Sequence, residues 1–271
     1  MTKAPSPLAT PAAWNLVASA YAEHNFAHFA RYANDALDFA AVRRGERVLD
    51  VATGPGTLAL AAVDRGCRVA ALDFSEEMLA RLREKLEARG DAAVEVRVGD
   101  GQALPWTDGT FEAAFAMFGL MFFPERARGF SELYRVLEPG GRAVVSSWQP
   151  MSKVPLLAAL FDALAAEMPE LPLHGDDAPL SDPDAFRAEM AAAGFDVTVV
   201  PSVHAIEAPD VATFWANARR STAPVALLER RLGPEGFAPI AAGIERRLRA
   251  LFPGPVRAEM PAWLALGVKP A

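Results

Sequence analysis

A single cysteine, Cys67, stands in 271 residues. One thiol allows no internal disulfide and no cysteine-based zinc cluster, and it suits a reducing cytoplasm. Basic residues are in the minority, with 27 Lys and Arg against 34 Asp and Glu and a net charge of −7. Proteins that bind nucleic acid or anionic membranes in a general way usually present a basic face, so neither is an expected partner. Long apolar runs are missing too: residues 113–123 form the longest, well short of the ~18 needed to span a membrane. Pro5, Pro7 and Pro11 break the stretch behind Lys3, which therefore does not read as a secretory signal. Histidines are few, and no metal-ligand spacing stands out, so no metal is expected. A cytoplasmic globule remains. Hydrophobic residues make up 52% and charged residues 23%, enough for a sizeable core. Single cores stop growing near ~250–300 residues, which predicts one domain with insertions or a cap. Nothing in the sequence fixes an oligomeric state.

Residues 1–12 read as a loose tail. Trp14, Val17, Ala18, Tyr21 and Ala22 recur at helical spacing, and a second helical stretch starts near Phe26. From Arg47 the rhythm changes to strand, helix, strand, helix. Arg47–Ala52 is an apolar run, residues 57–65 read as a helix, and Arg68–Asp73 is the next strand. Ser75 can cap the following helix, with Glu76 and Glu77 in its first turn and Gly90 at its end. This alternation means βαβ units and a parallel sheet. Val94, Val96 and Val98 alternate with Glu95 and Arg97, so the third strand buries one face and lies at a sheet edge. Residues 113–118 and 143–147 read as central strands. Pro201, in a strand over 196–206, favours a second edge. The nearly continuous run 262–268 reads as an interior strand inserted between earlier ones. Residues 182–193 form a helix.

The organisation that follows is a helical lid over residues 1–41 and a cofactor-binding core over 42–150. A first cap insertion covers 151–180, and a core helix with the sixth strand covers 181–206. A second cap insertion covers 207–254, and the final core strand covers 255–271.

Asp50-Val-Ala-Thr-Gly-Pro-Gly56 carries the chemistry. A glycine turn between a strand and a helix lets backbone approach a ligand. Gly54-Pro-Gly56-Thr-Leu-Ala59 also satisfies the relaxed dinucleotide pattern. Asp50, however, would repel a pyrophosphate held there and would attract an ammonium group, directly or through water. Asp73 ends the second strand and suits two ribose hydroxyls. Asp100, in Val98-Gly-Asp-Gly-Gln102, can accept from an adenine amine. The implied ligand has a cationic or zwitterionic end, a ribose and an adenine, and needs no phosphate. S-adenosylmethionine fits; a nicotinamide cofactor is disfavoured by Asp50 and Asp100.

Here the sequence resembles the class I S-adenosylmethionine-dependent methyltransferases, in the small-molecule branch similar to the ubiquinone/menaquinone-biosynthesis methyltransferases. The matching pieces are the first-strand motif through Gly56, Leu72-Asp-Phe-Ser75, Gly99-Asp-Gly-Gln-Ala-Leu-Pro105, Phe111-Glu-Ala-Ala-Phe115 and Leu133-Tyr-Arg-Val-Leu-Glu-Pro-Gly-Gly141. The resemblance implies an α/β fold: a Rossmann-like, mostly parallel sheet of seven strands in order 3-2-1-4-5-7-6, the last strand antiparallel, with helical cap insertions. It implies that the first motif holds the methionine part, Asp73 the ribose, and Asp100 with Gln102 the adenine. The cofactor-binding set is then Tyr21, Asp50, Ala52, Thr53, Gly54, Gly56, Asp73, Phe74, Met78, Asp100, Gly101, Gln102, Met117, Phe118 and Phe122. Ala52 departs from the glycine often found in the family, and its Cβ is expected to hold φ below zero.

In this architecture the segment Met117-Phe-Gly-Leu-Met-Phe-Phe-Pro124 faces the reacting methyl. It is apolar and lacks the Asn/Asp-Pro-Pro-aromatic box of enzymes that methylate base amines, and Cys67 is badly placed for a cytosine-carbon enzyme. The expected activity is methyl transfer to a small, largely apolar acceptor, with oxygen chosen over nitrogen or carbon. The alternative is an S-adenosylmethionine-binding protein with a non-methylating or regulatory role. His24 and His28 share a helical face with Tyr21 if the helix continues, and are the candidate general bases; both also read as ordinary boundary histidines. His174 and His204 are weaker candidates. Trp148 and Trp215 are candidate acceptor contacts, though both also read as core. The arginines between 219 and 249, interrupted by Glu229 and Glu245, read as a solvated face.

Overall fold

The computed structural model describes residues 6–91, 94–167 and 178–271; His174 lies outside the described residues. Two helices come first, α1 (Pro11–His24) and α2 (Phe26–Phe39), parted at Asn25. Strands and helices then alternate through β1 (Arg47–Val51), α3 (Thr57–Asp64), β2 (Arg68–Asp73), α4 (Glu76–Arg89) and β3 (Val94–Val98). β4 (Phe111–Met117), α5 (Arg126–Val136) and β5 (Leu137–Trp148) follow. The chain continues with α6 (Pro155–Glu167), α7 (Pro183–Ala191), β6 (Asp196–Ala208), α8 (Val211–Ser221), α9 (Ala223–Leu251) and β7 (Val256–Val268). α9 is broken at Gly233, where φ is 72° and ψ 166°, just before Pro234.

All seven strands join one sheet in the order β3-β2-β1-β4-β5-β7-β6. β7 runs antiparallel to both its neighbours, and the other pairs are parallel. This is the order the resemblance implies, and both edge strands are those the patterning marks. Val94 and Val96 are half-buried while Val98 is 51% exposed, which only an edge tolerates. Pro201 sits in β6, on the other edge, where a missing N–H is least costly. The central β4 is buried along nearly its whole length.

Strands β6 and β7 are longer than the sequence predicts. They pair from Asp196↔Val268 to Ala208↔Val256, whereas β5 follows β7 only as far as Trp148↔Ala262. The extra pairs form a two-stranded ribbon beyond the sheet. Along it Val256, Ala258 and Met260 are buried and Arg257 and Glu259 exposed, a period of two that the prolines at 253, 255 and 261 obscure in the sequence.

One face of the sheet packs against α5 and α7 through Phe130, Leu133, Phe186 and Met190. The other packs against α2, α3 and α4 through Leu37, Leu58, Leu79 and Leu82. Each such buried side chain contributes about 1.5–3 kcal/mol. A third cluster joins α6, α8 and α9 to the ribbon through Leu160, Trp215, Phe237, Ile244 and Met260. α1 lies across these parts, with Val17 and Ala18 packed with Met78 of α4 and Ala223 of α9. Ser75 caps α4 as predicted, its Oγ accepting from Met78 N at 3.2 Å, and Gly90 ends the helix at φ 70°. Among the described residues no helix is long and apolar enough to cross a membrane.

Candidate active site

The sheet register places three acids side by side at one end of β1, β2 and β3. Asp50 precedes the last residue of β1, Asp73 is the last of β2 and pairs with Val98, and Asp100 follows two residues after β3. The β1–α3 turn is fixed by its own hydrogen bonds: Thr53 N donates to Leu72 O at 3.0 Å, and Gly56 N to Thr53 O at 3.0 Å.

The carboxylates also shape this turn. Asp50 Oδ2 accepts from Thr53 Oγ1 at 2.6 Å and from Ala59 N, in the first turn of α3, at 3.0 Å. Asp73 Oδ2 accepts from Gly54 N at 2.8 Å and its Oδ1 from Ser75 N at 2.8 Å, so it ties the glycine turn to the start of α4. Asp100 Oδ1 accepts from Gln102 N at 2.9 Å, and Gln102 Oε1 accepts from Glu125 N at 2.8 Å. Burial pushes Asp50 up to about 7, against the opposing bonds from Thr53 and Ala59 and with help from the charge of Asp73. Burial likewise pushes Asp73 up to about 6 despite the N–H groups of Ser75, Gly54 and Phe74. Tyr21 is also raised, first by burial and then by Asp73. Two buried carboxylates, each held by hydrogen bonds but with no basic side chain on the described wall to neutralise it, favour a cation in the cavity.

Ala52 departs from expectation. Its φ is +55°, in the left-handed region, not below zero. A non-glycine residue there costs roughly 1–2 kcal/mol. The turn imposes this conformation through the Thr53–Leu72 bond that follows it, and the Cβ is accommodated because Gly119 opposite carries none.

A cavity of about 160 Å³ opens over the three acids. Every expected cofactor-binding residue except Gly56 lines it. Gly56 serves packing instead: at φ 84° it starts α3, and a Cβ there would overlap Leu82 of α4. Trp148, Trp215, His24, His28 and His204 do not line the cavity. Trp215 is 4% exposed inside the cap cluster. Trp148 stands behind Phe118, ring centroids 4.3 Å apart. His24 lies 3.6 Å from Glu23, and His204 Nε2 lies 2.8 Å from Asp35 Oδ2. His28 packs on the rings of Phe29 and Tyr32.

Leu8, Trp14 and Phe29 line the wall without being expected there, while Gly119 and Phe123 belong to the segment 117–124 expected to face the methyl. Trp14 was detectable, since it lies two helical turns before Tyr21 on the same face; its Nε1 donates to Leu8 O at 2.9 Å, which brings Leu8 in. Phe123 fills the space a Cβ on Gly101 would need, a tertiary contact with no local signal.

The residues present fit S-adenosylmethionine. Gly54, at φ +55°, has nothing within 4 Å of where a Cβ would stand, so its backbone is open to a ligand. The described wall contains acids and aromatic rings but no Lys, Arg or His, which suits a sulfonium and an ammonium and offers nothing to a phosphate. Asp73, Asp100 and Gln102 all line the cavity.

The profile of a methyltransferase domain matches residues 48–141. Demethylmenaquinone methyltransferase of Thermus thermophilus is 39% identical over 185 residues, covering 62% of this chain and 82% of that protein. The ubiquinone/menaquinone biosynthesis C-methyltransferase UbiE of Geobacter sulfurreducens is 33% identical over 171 residues, covering 56% of this chain and 65% of that protein. Among solved structures, the YcgJ protein of Bacillus subtilis superposes with a TM-score of 0.62 at 17% identity over 90% of this chain and 99% of that one, a likeness of fold. A glycine turn flanked by acids, a sheet order that inserts the last strand, and a relative matched over most of its length converge on one assignment: the chain belongs to the class I S-adenosylmethionine-dependent methyltransferases, and S-adenosylmethionine is its cofactor.

Proposed function

We propose that this methyltransferase acts on an apolar aromatic acceptor of the hydroquinone kind. The observation that carries this reading is the composition of the cavity beyond the three acids. Leu8, Trp14, Phe29, Met117, Phe118 and Phe122 line it, and no cationic side chain of the described wall could hold a carboxylate or phosphate on the acceptor. Two relatives, one named for demethylmenaquinone and one for ubiquinone/menaquinone biosynthesis, support it further.

Bound S-adenosylmethionine supplies an electrophilic methyl on a good leaving group. The protein's part is to orient and to exclude water. Asp50 and Asp73 offer negative charge to the zwitterionic end and the ribose. Tyr21 and Trp14, from α1, cover the cleft and keep water away. The sequence favours oxygen as the target atom, through the apolar wall and two histidines. With His24 and His28 off the wall, the apolar wall alone speaks for oxygen, and a ring carbon of an electron-rich diol becomes the preferred target. In this reading α1 closes the cleft and α6, α8 and α9 build the cap, while α2 belongs with the core, packed on the sheet through Leu37.

The test is product analysis. Incubation with S-adenosylmethionine and a reduced, prenylated naphthoquinone should give S-adenosylhomocysteine and one C-methylated product, located by NMR. A methyl ether would return the target to oxygen. Absence of any methylated aromatic, with the cofactor bound, would refute the acceptor class.

A further inference from the structure

Phe29 stands where the cavity wall meets α2. Its ring stacks on Tyr21 at 5.6 Å and 10°, and lies 5.1 Å from Phe118 and 6.0 Å from Trp148. Tyr32 closes the set, 5.2 Å from Phe118 and 5.8 Å from Trp148. A phenyl ring of the protein thus fills an aromatic box that opens onto the cofactor cavity beside Met117 and Phe118.

Two features of this box are foreign to a plain hydrophobic core. Phe118 holds φ at +55°, kept there by its N–H donating to Ser146 Oγ at 2.8 Å. A bulky residue in the left-handed region is an outlier, and such strain gathers at functional sites. His28, 5.6 Å from Phe29 and 5.3 Å from Tyr32, is only 9% exposed, and both its ring nitrogens are buried without a hydrogen-bond partner among the described residues. Buried polar atoms are paired in about nine cases of ten. The polar groups near it are committed elsewhere: Tyr32 Oη donates to Met260 O, Arg31 Nη1 to Ala205 O at 2.9 Å, and His204 Nε2 meets Asp35 Oδ2 at 2.8 Å.

We infer that the aromatic ring of the acceptor takes the box Phe29 fills, and that His28 hydrogen-bonds a hydroxyl of that acceptor. The inference rests on the aromatic-acceptor reading above. An acceptor ring in place of the Phe29 ring keeps the contacts to Tyr21, Tyr32, Phe118 and Trp148, so the exchange loses little packing. It also gives His28 the partner it lacks. Burial, with the charges of Arg31 and His204, lowers His28 to about 4, so at neutral pH the imidazole is uncharged and one nitrogen accepts from a hydroxyl.

The experiment uses 1,4-naphthalenediol as acceptor with His28→Leu, His28→Asn and Phe29→Ala. His28→Leu should lower kcat/KM on the order of 10- to 100-fold, mostly through KM, because a buried hydrogen bond is lost. Its S-adenosylmethionine affinity, read by calorimetry, should stay within about twofold, and His28→Asn should recover part of the loss. Phe29→Ala, which empties the box, should lower KM for the diol. A stable His28→Leu enzyme with wild-type kcat/KM would overturn the inference. Should His28→Leu fail to fold, Phe29→Ala decides: an unchanged or raised KM overturns it as well. Failure of the parent reading shows separately, as an absence of methylated diol from the wild-type enzyme.

Discussion

The Cβ of Ala52 occupies the place where a Cβ on Gly119 would have to stand. Gly119 has an ordinary φ of −102°, so it is glycine for lack of room and not for backbone freedom. Ala52, across from it, carries the backbone strain. The two positions have traded demands: the usual glycine conformation sits at Ala52, and the missing side chain sits at Gly119.

This trade gives a double-mutant prediction. Gly119→Ala should destabilise by about 1–3 kcal/mol through overpacking. Ala52→Gly relieves the left-handed strain and should be neutral or mildly stabilising. In the double variant the added methyl finds the vacated space, so the two effects should be strongly non-additive in denaturant melts. Simple additivity would show that the two side chains do not compete for one volume.

Asp73 joins two tasks, accepting from Gly54 N and facing the cavity. Asp73→Ala should weaken S-adenosylmethionine binding by at least about tenfold, the loss of hydrogen bonds to a charged group. Calorimetry checks this, and an unchanged affinity would remove the ribose assignment.

The raised carboxylates give a pH signature. Asp50 at about 7 and Asp73 at about 6 hold protons in the folded state that the unfolded chain has already released. Their contribution to stability is fully present below the ordinary carboxylate range and is lost as pH rises through 6 and 7. A bound cation reverses the preference, because it favours the ionised forms. S-adenosylmethionine affinity should therefore rise between pH 5.5 and 7.5, by up to about tenfold per unit for each proton released. S-adenosylhomocysteine keeps the ammonium and the ribose and should show a similar rise. A flat profile for both nucleosides would contradict the electrostatic role of the pair.

Trp14 lines the cavity and Trp215 is sealed in the cap cluster. Cofactor binding should quench tryptophan fluorescence in the wild type and in Trp215→Phe, and quench it markedly less in Trp14→Phe. Equal quenching in the Trp14 variant would place α1 away from the bound cofactor.

The sheet was legible because each strand's environment is written in its side chains: one-sided valines at β3, a proline in β6, small apolar residues in β4 and β5. Asp50, Asp73 and Asp100 were legible because they end successive strands beside a glycine turn. What escaped was decided by contacts distant in sequence. The ribbon of β6 and β7 has a clean alternation over Val256, Ala258 and Met260, but three prolines interrupt it. The conformation of Ala52 depends on Gly119. His28 was expected on one face with Tyr21, yet the helix breaks at Asn25, and past that break Phe29 takes the cavity side.

A crystal structure of the chain with S-adenosylhomocysteine should show ribose hydroxyls on the Asp73 carboxylate, the adenine beside Phe74 and Asp100, and the sulfur directed at Met117 to Gly119. A nucleoside bound elsewhere, or one that leaves Asp73 and Asp100 without contact, would contradict this placement.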